Sequence, residues 1–478
     1  MYRLRGSDAQ TIYTETPTSP FVTLKVMIYE PISSDDVPSY KELKNFIKNG
    51  IQNWCSNGLS MRVIRVPFDI HHPIWVPDSN FNLDDHIHNV ALPAPGNNEK
   101  LCEFISYILS MPMDQKRPLW DSWVVEGLEG GRIAWFCKVH HVHADGIMSV
   151  DQIIRLHTAR RSVSVDDPFP RCHLPPPKKS HLITSALIDL FKSYSIELPG
   201  IFRNLRKARL ARPKPGSRNF EEGVVSAFSA PYTIFNAPGG HYRNFEYQTF
   251  SLRIIKLIAK KYGCTINTLV LTIVSEVILR YLSEMKQVIP DTPLVIVMPV
   301  SKKKSDNSKV FLNTEIHNNN LALAFVSMDL RIRSFDERLL AIQKSSEIAM
   351  QHVRITDGRR IDNFSDYLPG SLFRILNWYI SRRQRLKRSV LANFSVSNVP
   401  GPQEQLYACD GRLKMVDLLS CGNLMDINAF GVTVWSYLDK FSFNLLFRKG
   451  VLPKQNRISE LFDEVYGELY LSTERHDD

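Results

Sequence analysis

The chain has 478 residues, of which 44% are hydrophobic, 23% charged and 10% aromatic. That composition excludes disorder and a fibrous fold, and the length exceeds one ordinary core, so two domains are expected. The net charge of +10 is uneven: residues 1–160 carry 15 basic and 18 acidic groups, 161–220 carry 12 and 4, and 221–478 carry 32 and 27. This argues against a nucleic-acid groove running across the protein. It points instead to an anionic surface or a phosphorylated substrate near the middle segment.

In chain order, the first 160 residues mix strands and helices. Residues 21–29 alternate as a strand, and 40–54 have helical spacing through Leu43, Phe46, Ile47 and Ile51. A strand over 61–66, a helix over 101–109 and a short strand over 123–126 follow, ending in a turn at Gly130-Gly131. Residues 132–139, RIAWFCKV, are almost continuously apolar, as a central strand covered on both faces would be. After Gly146, the spacing of Ile147, Val150, Ile153 and Ile154 is helical.

Residues 161–220 form a basic, Pro-rich crossover, apolar in its first half and cationic at Arg203, Arg206, Lys207, Arg209 and Arg212. It suits a solvated connection between domains or a helix resting on anionic lipid. Residues 221–478 are again mixed, with strands expected over 249–252, 293–297, 321–328, 394–396, 429–435 and 441–447. Helices are expected over 265–282, 335–353 and 371–389, the last ending in a basic run from Arg382 to Arg388. Intermixed elements in both halves predict an α/β (α+β) fold of two sandwiches, 1–160 and 221–478, joined by the crossover. The seven cysteines are scattered without a CxxC pair, the N-terminus lacks a signal-peptide core, and no apolar run approaches the ~20 residues of a membrane span. A reduced, cytoplasmic protein is the expectation.

Between the apolar strand and the helix that follows it lies His140-His141-Val142-His143-Ala144-Asp145-Gly146. The residues alone leave three readings. They can be core or turn histidines. On an extended chain His141, His143 and Asp145 would share one face, a donor set suited to zinc or iron in a hydrolase. Or His141 is a general base, since an imidazole near its ordinary pKa of ~6.5 can take a proton from an alcohol at neutral pH. Asp145 would then support the loop and Gly146 its backbone. No serine or cysteine nucleophile motif accompanies the histidines, which favours direct transfer over a covalent intermediate.

His140-His141-x-x-x-Asp145-Gly146 resembles the signature of the wax ester synthase/diacylglycerol acyltransferase family, and more broadly of CoA-dependent acyltransferases that include chloramphenicol acetyltransferase and peptide-synthetase condensation domains. Further blocks resemble that family in its order: Glu15-Thr16-Pro17-Thr18, Ala91 to Gly96, Arg117-Pro118-Leu119-Trp120, Thr265-Ile266-Asn267, Pro299-Val300-Ser301, Asn393 to Pro402, and Ser436-Tyr437. Three departures stand out: Thr268 replaces an Asp, Lys303 an Arg, and the segment after Cys421 is not Gly-rich.

The resemblance implies two chloramphenicol-acetyltransferase-like domains with a substrate tunnel between them and His141 near its middle. It implies acyl-CoA as co-substrate with no other cofactor and no metal, and a long-chain alcohol or diacylglycerol as acceptor. His140 and Gly146 would complete the catalytic turn. Asn267, Ser397 and Asn398 would position substrate or bind the oxyanion, and Glu15, Trp120 and Asn393 would line the tunnel. The protein would sit peripherally on a membrane or lipid droplet and bind no nucleic acid. A relative with another acceptor, a metal-dependent hydrolase using His141, His143 and Asp145, and a non-catalytic lipid-surface protein are the alternatives.

Overall fold

A computed structural model describes residues 2–54, 58–143, 150, 153–157, 175, 177–192, 194–195, 199, 225–226, 228–301, 321–357, 366 and 368–474. The first half supplies β1 (Tyr2–Arg3), α1 (Gly6–Thr14), β2 (Val22–Pro31), α2 (Tyr40–Trp54), β3 (Met61–Ile64), β4 (Ile74–Pro77), β5 (Ile87–Ala91), α3 (Asn98–Ser110), β6 (Trp120–Leu128) and β7 (Arg132–His140). One crossover helix, α4 (Lys179–Lys192), is described. The second half begins with β8 (Arg243–Ser251), α5 (Leu252–Lys261), α6 (Ile266–Glu284), β9 (Leu294–Ser301), β10 (Leu321–Met328), α7 (Phe335–Asp357) and α8 (Gly370–Arg385). It ends with β11 (Phe394–Val399), β12 (Tyr407–Ala408), β13 (Leu413–Cys421), β14 (Phe430–Tyr437), β15 (Lys440–Arg448) and α9 (Asn456–Glu474).

Two six-stranded sheets carry the fold, in the orders β12-β13-β2-β7-β6-β5 and β10-β9-β11-β14-β15-β8, beside a small sheet β1-β4-β3. The continuous apolar stretch expected to be a central strand is β7, paired antiparallel with both β2 and β6. Its buried charge, Lys138, donates through Nζ to Ile108 O at 2.8 Å and Met111 O at 2.5 Å. It thereby caps the carbonyl end of α3, and burial pulls its pKa down to about 8.

The two halves exchange chain. Strands β12 and β13, which lie in the second half by sequence, complete the first half's sheet, β13 pairing with β2 from Leu413↔Pro31 to Cys421↔Leu24. In the other direction α3 packs on β8, whose edge amides Arg243 N and Phe245 N donate to Ser110 Oγ (2.8 Å) and Ser106 Oγ (2.9 Å). The expected strand over 249–252 is the end of β8. Leu252 instead opens α5, because Ser251 Oγ accepts Ile254 N as an N-cap.

The second-half core is built on α6, with Leu269, Val270, Ile273, Val274, Val277 and Ile278 all buried. Among the described residues α6 is the one helix long and apolar enough to cross a membrane. It is apolar all round because it lies inside, against α7 and α9.

Candidate active site

Strand β7 ends at His140 as its partners fall away. His140 N donates to Leu119 O at 3.0 Å and His141 N to Phe21 O at 2.9 Å. The chain then turns, with His143 N donating back to His140 O at 3.0 Å. The extended geometry that would align His141 and His143 is therefore absent, and the buried His143 ring packs on Trp75 with centroids 4.7 Å apart. Among the described residues no group of three His, Cys, Asp or Glu is placed to hold a metal. Asp145 and Gly146 lie outside the described residues.

His140 is fully buried, and its Nδ1 accepts from Val142 N at 3.1 Å. An accepting Nδ1 carries no proton, so a neutral His140 is the Nε2–H tautomer. That Nε2 faces Glu15 Oε2 at 3.7 Å. Glu15 in turn accepts from Gln115 Nε2 at 2.5 Å and Phe21 N at 3.4 Å. Burial alone would raise the Glu15 carboxyl; its attraction to His140 and the Gln115 and Phe21 donors outweigh this and hold it below the usual range. Glu15 thus stands directly behind the histidine pair.

His141 is half-buried, with the Phe21 ring edge-on at 5.6 Å. In β2, Thr23 and Lys25 pair with Val139 and Cys137, so these four share one sheet face. Phe21 and His141 extend that pairing by one more step. The face looks onto the second half: Lys25 Nζ lies 4.1 Å from the Trp435 ring of β14 and donates to Ser420 Oγ at 2.5 Å. His141 therefore projects from the edge of the face that the other half covers.

The segment after Glu15 locks the halves together here. Thr16 Oγ1 and Thr18 Oγ1 donate to the two oxygens of Asp426 at 2.7 and 2.8 Å. Thr18 O accepts from Arg243 Nη2 at 2.8 Å and Arg448 Nη1 at 2.9 Å. Asp426 belongs to the departing segment after Cys421, and its carboxylate gives that segment a function in this chain. The sequence alone offered no signal for Phe21, Gln115 or Asp426, because their partners are distant in the chain.

In the second half, Asn398 Nδ2 donates to Asn267 Oδ1 at 2.6 Å. Asn267 lies in the first turn of α6, where Thr265 Oγ1 caps Thr268 N at 3.1 Å. Thr268, standing where the family has Asp, is buried and joins that cap, its hydroxyl 3.0 Å from Thr265 Oγ1. The Asn pair consequently sits at the positive end of a helix, with the Asn267 amide hydrogens left to donate. Ser397 does not join it: neighbouring strand residues point to opposite faces, and Ser397 pairs with Thr433 on the side of Trp435.

Two residues nominated to line the tunnel are held by hydrogen bonds in the interior. Trp120 is buried in the first-half core, its Nε1 donating to Leu59 O at 2.8 Å and its ring stacked on His86 at 4.4 Å. Asn393 is a buried bridge, its Nδ2 donating to Pro231 O (2.7 Å) and Asn236 Oδ1 (2.9 Å) while its Oδ1 accepts from Val295 N (2.8 Å).

Residues 4–270 match the wax ester synthase/diacylglycerol acyltransferase catalytic domain, and residues 318–470 the C-terminal domain of the same family. A Mycobacterium tuberculosis protein named for diacylglycerol O-acyltransferase activity is 30% identical over 451 residues, covering 92% of this chain and 91% of its own. The O-acyltransferase WSD of Acinetobacter baylyi is 29% identical, covering 82% of each chain. The solved wax ester synthase/diacylglycerol acyltransferase from Marinobacter aquaeolei VT8 is 22% identical with a TM-score of 0.65, covering 99% of this chain and 100% of its own. A condensation domain of the CDA synthetase shares the fold at a TM-score of 0.56 and 11% identity, over 98% of this chain and 94% of its own.

Proposed function

The chain belongs to the wax ester synthase/diacylglycerol acyltransferase family, and from that premise we propose that it moves a long fatty acyl group from acyl-CoA to a fatty alcohol or diacylglycerol with His141 as general base. His141 takes the proton from the acceptor hydroxyl as its oxygen attacks the thioester carbonyl. A tetrahedral oxyanion forms, collapses to the ester, and releases CoA thiolate, which recovers the proton from His141. Atoms and charge balance with acyl-CoA as the only co-substrate.

The observation that carries this reading is the seat of His141. Its backbone is pinned to Phe21 on the sheet face that the other half covers, with the buried His140 and the half-buried Glu15 behind it. Asn267, paired with Asn398 at the start of α6, is the nominated oxyanion donor, and such a donor is worth about 2.7–4 kcal/mol of barrier. Asp145 and Gly146 belong to the same His-His-x-x-x-Asp-Gly motif, and Ser397 contributes from the face of β11 that looks towards Trp435. Because both acceptors are poorly soluble, the enzyme works peripherally at a membrane or lipid-droplet surface.

Purified protein with palmitoyl-CoA should release free thiol only when hexadecanol or dioleoylglycerol is added. A folded His141→Ala variant should be slower by about 10²–10⁴-fold, the usual contribution of a general base. Thiol release without acceptor would make the protein a thioesterase, and turnover that survives His141→Ala would remove the base from the mechanism.

A further inference from the structure

Helix α8 turns much of its apolar surface outward. Its polar Gln384 is buried, with Nε2 donating to Asn236 O at 2.5 Å and Asp426 O at 3.1 Å, and Asn377 Nδ2 reaches Tyr13 O at 3.4 Å. Phe373 packs inward, stacked on Tyr13 at 5.8 Å, but the large apolar side chains Leu372, Ile375, Leu376, Trp378 and Tyr379 are exposed. Residues 372, 375, 376 and 379 form one stripe at helical spacing, which a water-facing helix would bury. Arg382 continues the stripe with its guanidinium 5.3 Å from the Trp378 ring, and Arg385, Lys387 and Arg388 follow it. Among the described residues these four exposed cations form no ion pair.

A second apolar feature adjoins it. Phe68 is 85% exposed on a left-handed backbone (φ 61°), a conformation that bulky residues avoid. The next residue, Asp69, is also left-handed and is clamped by Arg65 (3.0 and 2.7 Å) and by Arg374 of α8 (2.9 Å). Strain held in place by two ion pairs thus presents a phenyl ring to solvent. Phe68, Ile375 and Ile183 of α4 line a single cavity of about 1010 Å³. Further along α4, Leu187, Ile188 and Phe191 are exposed as well.

We propose that the face formed by the Phe68 turn, α4 and α8 docks on an anionic lipid surface, with Phe68 entering the acyl layer and the cavity behind it receiving a lipid chain. This rests on the reading of the enzyme as a transferase of lipid acceptors, and it names the surface and pocket that reading requires. Contiguous apolar surface on a monomer marks an interaction site. A cluster of exposed cations beside it selects anionic headgroups over a protein partner's apolar groove. The site is separate from the chemistry. In the small sheet, Ile64, Ile74 and Val76 cluster with Leu182 of α4, while Met61, Val63 and Trp75 pack with Val142 of the catalytic turn. The cavity therefore lies one sheet away from His141.

The test is co-sedimentation with vesicles of phosphatidylcholine containing 30% phosphatidylglycerol, against phosphatidylcholine alone, for the wild type, Phe68→Ser and the double variant Ile375→Ser/Leu376→Ser. Each variant replaces exposed groups, and circular dichroism confirms its folding. The wild type should bind the anionic vesicles at least tenfold more tightly than the neutral ones and lose that preference in 0.5 M salt. Both variants should bind at least tenfold more weakly. They should lose turnover of vesicle-borne dioleoylglycerol in parallel, and keep turnover of dissolved 1-octanol.

Unchanged binding in the variants would overturn the proposal. So would a wild type that ignores anionic vesicles. Wild-type protein inactive on octanol and dioleoylglycerol would overturn the acyl-transfer reading instead, and the vesicle binding would still decide the docking face.

Discussion

At the scale of single residues, the site turns on what stands behind His141. Glu15 is half-buried, held by two donors, and faces His140 across 3.7 Å. His140 in turn fixes the turn through Val142 N. Replacing the carboxylate by an amide keeps the shape and removes the charge. Glu15→Gln should lower kcat by as much as about 10²-fold, the cost of roughly 1 Å of misplacement, with KM nearly unchanged. Steady-state kinetics on a variant with a wild-type melting curve would show this, and an unaltered kcat would mean that the pair does not position His141. The histidines themselves were legible because they adjoin one another in the chain. Glu15 could be nominated only by resemblance, and as a tunnel residue. Its place behind His140 spans 125 positions of sequence, a distance that no periodicity reports.

At the scale of elements, spacing reports that a helix or strand exists and says less about its partners. The helix expected over 40–54 is α2, and the apolar strand is β7. The apolar stripe of α8 has the periodicity of a buried face, yet the structure turns it outward and sets Gln384, Asn377 and Phe373 on the inner side. Asn393 shows the same priority of hydrogen bonds over apolarity. It ties β9 to the segments at 231 and 236, and its removal strands Val295 N, takes a donor from Asn236 Oδ1, both buried, and unpairs the half-buried Pro231 O. Each stranded group costs about 1–3 kcal/mol, so Asn393→Leu should lose about 2–6 kcal/mol in urea unfolding. Loss below 1 kcal/mol would show that the bridge is dispensable. Gly401 is constrained by space: a Cβ there would sit 1.8 Å from Ser436 O. Gly401→Ala must push β14 away from the loop, and overpacking of this kind typically costs about 1–3 kcal/mol. A melting temperature equal to wild type would contradict that contact.

At the scale of the whole molecule, the mixed α/β character in both halves was visible in the sequence, whereas the exchange of β12 and β13 was not. Strand β13 pairs with a strand nearly four hundred residues earlier, and only the folded sheet brings the two together. Such exchange makes the halves depend on each other, so a buried group in either one bears on the stability of both. Burial holds the imidazoles of His71, His86 and His157 far below their ordinary value, at about 3, 4 and 4. Above pH ~6.5 these rings are neutral both folded and unfolded, and they contribute no pH dependence. As pH falls below that value the unfolded chain takes up protons that the folded one refuses, so stability drops until the folded pKa is reached. His157 makes the clearest case. Its Nδ1–H donates to Ile153 O at 2.6 Å and its Nε2 accepts the Tyr29 hydroxyl at 2.7 Å, a pattern that only the neutral ring completes. His157→Phe should be less stable than wild type at pH 7.5, having lost both bonds. Between pH 6.5 and 4.5 that gap should narrow by up to about 1.4 kcal/mol per pH unit, because only the wild type loses stability through this position. Denaturant unfolding of both proteins across that range reads the gap directly, and a gap independent of pH would mean that His157 is protonated in the folded protein.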